Sequence, residues 1–232
     1  MDLRRSIAER TMTGEVKRTL ARTSSGDIKV STNSHVPIVE ASPGDAEDFA
    51  ALILLSSPSL FPTIYGSRVE TIVQRLFRKR RNLFSFEHTY FAELGGKKVG
   101  MLLGYDWQTK KRENLKTGLL LFREMKTYFL GKLPGMLKAM NAIGMVGDRE
   151  HYISNLAIYP DHQSMGIGTV LIRKAEEEAG QKGARRMALD VETENSSAIR
   201  LYERLGFSAV AESSLRLRGG RSFEFYRMCK EL

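Results

Sequence analysis

The segment Gln163-Ser164-Met165-Gly166-Ile167-Gly168-Thr169 carries the spacing most suited to ligand chemistry in this chain. It lies between a run that reads as a strand, Tyr152–Tyr159, and one that reads as a helix, Gly168–Gly180. Glycines remove Cβ atoms where a backbone must approach a ligand. The first N–H groups of a helix are unpaired and carry partial positive charge. Together these features form an anion site that needs no basic side chain. A charge-assisted hydrogen bond there contributes roughly 1.5–3 kcal/mol, so several of them hold a pyrophosphate. The competing reading is a plain glycine-containing turn.

Two ligand classes use such a loop. A dinucleotide site wants G-x-G-x-x-G with an acidic residue about 20 positions on. Gly166-x-Gly168 is present and Asp190 lies near the end of the next strand, but the third glycine is replaced by Leu171. Pro160-Asp161-His162 also separates the strand from the glycines, where the dinucleotide turn is tight, and too little chain follows for the remaining parallel strands. The other class is coenzyme A. Thiol and metal chemistry have little to work with: Cys229 is the single cysteine, and His35, His88, His151 and His162 are scattered without ligand spacing. No metal cofactor is expected.

The elements around the loop follow from periodicity. Val36–Ala41 alternates as a strand, and Ser42-Pro43-Gly44-Asp45 starts a helix to about Leu55. Ser56–Gly66 reads as a loop with aromatics, and Ser67–Arg81 as a basic helix. Leu83–Leu94 and Lys97–Trp107 read as a hairpin across Gly95-Gly96. From about Lys110 to Met145 apolar residues recur at helical spacing, and Pro134, preceded by Gly131, is expected to divide this stretch into two helices. Beyond the loop come a helix with an acidic outer face (Glu176-Glu177-Glu178), a strand Arg186–Val191, a helix Asn195–Leu205 closed by Gly206, and a hairpin of Ser208–Leu217 with Phe223–Cys229. Residues 1–34, polar and rich in Ser, Thr and Arg, read as a basic arm that is mobile or forms one helix.

The chain has 232 residues, 42% hydrophobic and 27% charged, which describes a globular protein and not a fibrous or disordered one. No run of about 18 apolar residues occurs, so no spanning helix is expected. The start of the sequence lacks an apolar signal-peptide core, and with one thiol a reducing, cytoplasmic location is expected. The net charge of +9 arises from 36 Lys+Arg against 27 Asp+Glu. The surplus concentrates in residues 97–138, with ten basic and three acidic groups, and in Arg78-Lys79-Arg80-Arg81. Such fields attract nucleic acid, anionic lipid or a phosphate-rich cofactor, or merely keep the surface solvated, and they disfavour a polycationic acceptor.

Two motifs, read together, carry a resemblance. Leu156-Ala157-Ile158-Tyr159-Pro160…Gln163-x-x-Gly166-x-Gly168 is similar to motif A of the GNAT superfamily of acetyl-CoA-dependent N-acetyltransferases. Asn195-x-x-Ala198-x-x-Leu201-Tyr202-x-x-x-Gly206-Phe207 resembles the family's next motif. The detailed match covers about Tyr152–Phe207, and the coarse element order fits from Val36 to Cys229. The implied fold is α/β (α+β): a mixed, mostly antiparallel central sheet of about seven strands, helices on both faces, and a splayed pair of parallel strands that bind CoA. The implied domain is 35–232, with a helical insertion at about 110–146 that the minimal family pattern lacks.

The resemblance implies roles for single residues. Backbone N–H groups of Gln163, Ser164, Met165, Gly166, Ile167, Gly168 and Thr169 would cradle the CoA pyrophosphate. The strand around Leu156, Ala157 and Ile158 would pair with the pantetheine amides and polarise the acetyl carbonyl. Asn195 and Ala198 would fix CoA at the second helix, Asn195 being equally suited to a helix N-cap. Tyr202 would be the general acid toward the departing thiolate, or else a core tyrosine. The base is open. Tyr152, Ser154 and Asn155 stand where many relatives carry a strand carboxylate or histidine; Asp190 is the leading candidate, with Glu192 and Glu150 as alternatives. The acceptor, a primary amine of a small molecule or of a protein Lys or N-terminus, would meet Phe61, Tyr65, Tyr152, Asn155 and the turn near Arg218-Gly219-Gly220-Arg221. The methionine-rich insertion would be a lid or wall over that site, extra core, a homodimer interface, or a weak membrane contact. A silent CoA-binding domain and a nucleic-acid-associated module are the alternatives to an acyltransferase.

Overall fold

The computed structural model describes residues 36–126, 128–217 and 220–232; the arm expected at 1–34 and the Arg218-Gly219 part of the last turn lie outside them. The described strands are β1 (Ile38–Glu40), β2 (Thr89–Leu94), β3 (Lys97–Asp106), β4 (Glu150–Ile158), β5 (Arg186–Glu192), β6 (Ser208–Arg216) and β7 (Ser222–Glu231). They form one sheet in the order β1-β2-β3-β4-β5-β7-β6. Every pair is antiparallel except β4 with β5, which run parallel. The mixed sheet inferred from the resemblance is thus the observed one.

Alternation along the strands divides the core between the two faces of the sheet. On one face Phe91, Met101 and Leu103 pack against α1 (Ala46–Ser56) and α3 (Val69–Phe77), through Phe49, Leu52, Ile53, Val73 and Phe77. Phe49 and Phe77 stack at 4.3 Å between ring centroids. On the other face Leu102, Ile153, Met187 and Leu189 meet α6 (Ile167–Gln181), whose Ile167, Leu171, Ile172, Ala175 and Ala179 recur on one helical stripe. Of the expected acidic outer face, Glu177 alone is exposed; Glu176 accepts from Lys230 at 2.5 Å and Glu178 pairs with Lys182.

Ser56–Gly66, expected as a loop, contains α2 (Leu60–Tyr65), with Pro62 in its first turn, where a missing N–H costs nothing. The basic helix stops at Phe77 instead of Arg81. Strand β2 begins at Thr89, not Leu83. The intervening chain is pinned as buried coil: Asn82 is fully buried and donates to Leu76 O (3.0 Å) and Lys79 O (2.7 Å), and Leu83 N donates to Thr117 Oγ1 (2.9 Å).

The insertion forms two helices, α4 (Trp107–Met125) and α5 (Tyr128–Ala142). They divide at Lys126, whose φ is +53°, and Pro134 sits inside α5 instead of ending it. Packing of Met136 and Ala139 against Leu121, Met125, Leu60, Leu215 and Phe225 holds α5 across the proline. Among the described residues no helix is long and apolar enough to cross a membrane. Helix α7 (Ser196–Arg204), ended by Gly206 at φ +90°, completes the set.

Candidate active site

Strand β4 holds the site open. It pairs with β3 from His151 to Ile158 but with β5 only from Glu150↔Arg186 to Ile153↔Leu189. Leu103 opposes Asn155 while Gly104 opposes Ile153, so Ser154 is an extra, bulged residue at the point where β4 leaves β5. A bulge bends its strand and raises local twist. Beyond it, among the described residues, no strand covers the β5-facing edge of Leu156, Ala157 and Ile158.

The glycine loop lies at the end of that open edge. Ser164 and Gly166 take φ values of +63° and +80°. Such alternation turns successive N–H groups toward one concavity. Among the described residues, the backbone N–H groups from Ser164 to Thr169 find no acceptor in the protein; the next one, Val170 N, donates to Gly166 O at 3.2 Å. A Cβ on Gly166 would meet nothing within 4 Å, so this glycine faces open space. A Cβ on Gly168 would stand 2.9 Å from Leu201 Cδ2 and 3.3 Å from Ile158 Cδ1, so that glycine lets α6 pack closely on α7 and β4. The two glycines thus serve different ends.

A groove of about 400 Å³ runs along these elements, lined by Leu156, Ala157, Ile158, Gln163, Ser164, Gly166, Ile167, Gly168, Thr169, Asn195, Ala198 and Tyr202. Met165, expected with them, is 57% exposed and is not in the lining. Ser197, Leu201 and Arg204 also line the groove. Their i, i+4, i+7 spacing on α7 was the available signal for Arg204, a cation suited to phosphate that the sequence reading missed. The unpaired amides, the free strand edge and this cation fit a long phosphate-bearing ligand such as CoA.

A second, inner cavity of about 530 Å³ adjoins the groove. Both are lined by Leu55, Ser56, Leu156, Asn195, Ala198 and Tyr202, which therefore mark their junction. Tyr202 is buried, and desolvation pushes its phenol well above the ordinary tyrosine range. It stays protonated at neutral pH and is a donor. Asn195 takes the N-cap position: its Oδ1 accepts from Ala198 N at 3.1 Å and from Ser197 Oγ at 3.0 Å.

Phe61, Tyr65, Tyr152 and Asn155 all line the inner cavity. Phe61 and Tyr65 stack at 5.9 Å, and Asn155 Nδ2 donates to Ser56 Oγ at 2.8 Å. Asp190 also lines it, and its Oδ2 accepts from Gly144 N (2.7 Å), Tyr152 OH (2.9 Å) and Arg227 Nη1 (3.4 Å). Glu192 lines it with one side-chain donor, Ser57 Oγ at 2.5 Å, and its carbonyl accepts from Asn195 N at 2.9 Å, which sets it beside the junction. Glu150 lines neither space; it is held by Arg227 (2.6 Å), Arg186 (3.1 Å) and Gly147 N (2.8 Å). From the insertion, Met136 and Met140 reach the inner cavity, while Met125 is core and Met145 is exposed. Lys110, which the sequence reading did not single out, lines it too. Among the described residues no group of three His, Cys, Asp or Glu side chains is placed to hold a metal ion.

Comparison with known proteins is consistent with this geometry. The family model "Acetyltransferase (GNAT) family" matches residues 58–207. An uncharacterized N-acetyltransferase, YobR, of Bacillus subtilis is 36% identical over 83 residues, covering 35% of this chain and 34% of that protein. The [ribosomal protein bS18]-alanine N-acetyltransferase of Escherichia coli K12 is 37% identical over 67 residues, covering 29% of this chain and 45% of its own. The matches thus span from about a third to under half of these curated relatives. An N-acetyltransferase from Staphylococcus aureus Mu50 superposes with a TM-score of 0.63 at 18% identity, covering 83% of this chain and 99% of that one, a likeness of fold.

Proposed function

Because the chain belongs to the acetyltransferase (GNAT) family, we propose that it moves an acetyl group from acetyl-CoA to a primary amine of a small molecule, by direct attack within a ternary complex. The observation that carries this reading is the meeting of two spaces at Tyr202: a groove with unpaired amides on one side and a mostly apolar cavity on the other. The inner volume of about 530 Å³ falls within the roughly 300–1,000 Å³ typical of small-molecule sites.

Acetyl-CoA supplies an activated thioester; the rest is done by this chain. The N–H groups of Ser164–Thr169 hold the diphosphate, with Arg204 beside them. The uncovered edge at Leu156–Ile158 pairs with the pantetheine amides, and an N–H on it stabilises the charge developing on the carbonyl oxygen. Tyr202 gives a proton toward sulfur as the carbon–sulfur bond breaks and the carbon–nitrogen bond forms. An alkylamine with a pKa of about 10.4 must lose a proton first, at about 4.6 kcal/mol at neutral pH. We assign the acceptor of that proton, through water, to Glu192, which stands beside the junction. Asp190, with three donors on one oxygen, positions Tyr152 and Arg227.

Thiol release from acetyl-CoA, measured against a panel of amines, tests the proposal. Amine-dependent release is expected, with Tyr202→Phe lowering kcat by about 10²–10⁴-fold while CoA affinity changes little. Release that no amine accelerates would contradict it.

A further inference from the structure

Lys110 stands in the first turns of α4 and lines the inner cavity. Its Nζ lies 5.8 Å from the centroid of the Tyr105 ring and about 4.0 Å from where a Cβ on Gly144 would be. Among the described residues it has no carboxylate partner and donates no hydrogen bond. Three other partly buried lysines are paired: Lys79 with Glu124 at 2.6 Å, Lys98 with Glu93 at 2.6 Å, Lys230 with Glu176 at 2.5 Å. Burial without a compensating charge holds the Lys110 ammonium below the usual lysine range. An unpaired, partly desolvated cation is costly unless something else neutralises it.

The neighbouring charges do not. Asp190 is matched by Arg227, which also pairs with Glu150, and Glu150 in turn with Arg186. Glu192 is tied to the Tyr202 junction through the bond its carbonyl accepts from Asn195 N, whereas Lys110 stands beside Tyr105 and Gly144, neither of which reaches the groove. The cavity is therefore bipolar, with a carboxylate near the reacting end and an ammonium away from it. Between them stand apolar walls that include Leu121, Phe129, Met136 and Met140.

Resting on the acetyltransfer reading above, we propose that Lys110 recognises a carboxylate on the acceptor. The acceptor class is then small amino carboxylates with an apolar body: the amine lies toward Glu192 and Tyr202, the carboxylate against Lys110. Lys110 is a specificity-determining residue and takes no part in bond making.

The test uses matched pairs of acceptors, each an apolar α- or ω-amino acid (leucine, phenylalanine, 6-aminohexanoate, 4-(aminomethyl)benzoate) and its uncharged amide. Steady-state acetylation is measured, together with calorimetric binding to the CoA-loaded protein. Wild type is expected to favour the carboxylate member of at least one pair by about 10- to 100-fold, the range for a hydrogen-bonded charge. Lys110→Met is expected to bring that ratio close to one through a higher KM for the carboxylate, and Lys110→Arg to keep part of it. Equal use and equal binding of both members in every pair by wild type would overturn the proposal, as would an equal loss on both members in Lys110→Met. If no amine is acetylated, the acetyltransfer reading fails, yet binding still decides the role of Lys110: carboxylate preference lost in Lys110→Met supports it, and no preference refutes it.

Discussion

His151 on β4 is 1% exposed, and among the described residues neither ring nitrogen has a hydrogen-bond partner. The groups around it are Glu178 from α6, Lys182 just past its end, Asp106 at the end of β3, and His88. Desolvation outweighs them and pushes its pKa down to about 4 from 6.5. In the unfolded chain the imidazole therefore binds a proton as the pH falls below 6.5, while in the folded protein it stays neutral until about 4. The unfolded state binds more protons across this window, so the contribution of His151 is fully present above pH 6.5 and is lost as the pH falls through 4. At 1.36 kcal/mol per unit the loss is about 3 kcal/mol. His151→Leu should remove it. Because the ring makes no hydrogen bond, the replacement leaves no former partner unsatisfied, and stability at pH 7 should hold within about 1 kcal/mol. Urea unfolding of both proteins from pH 7.5 to 4 gives the difference curve. A curve that stays flat would contradict a depressed imidazole pKa, and a His151→Leu protein that unfolds at pH 7 would contradict a ring without partners.

Gly168→Ala would force Leu201 or Ile158 aside; it should weaken CoA binding at least tenfold and lower stability by about 1–3 kcal/mol, read by calorimetry and thermal melts. Glu192→Gln should lower kcat and steepen its rise with pH, whereas Asp190→Asn, which disturbs Tyr152 and Arg227, should act more through KM and stability; the reverse pattern in pH–rate profiles would exchange their roles. Pro134→Ala restores a helical N–H inside α5 and should raise the unfolding free energy by about 1–3 kcal/mol, measured by denaturant titration.

The parts of this fold legible in the sequence are those set by local chemistry. The glycine loop depends on backbone freedom at 166 and on unpaired helix-start amides, both carried by nearby residues. The strand–helix order from Glu150 onward follows from periodicity, and the sheet came with the two motifs. What escaped depends on distant partners. Leu83–Phe86 has the apolar, aromatic composition of a strand, yet the side chains of Asn82 and Thr117 claim its neighbourhood. Pro134 is a strong local breaker overridden by packing against β6 and β7. The isolation of Lys110 and the three donors on Asp190 emerge only once α4, β5 and β7 are brought together.

In the proposed function the amides of Ser164–Thr169 receive the diphosphate of CoA. Backbone amide resonances of the isotopically labelled protein, followed during titration with acetyl-CoA and separately with NAD, test it most directly. Saturable downfield shifts in this segment with acetyl-CoA, and none with NAD, are predicted. Resonances that stay in place, or that move only with NAD, would contradict it.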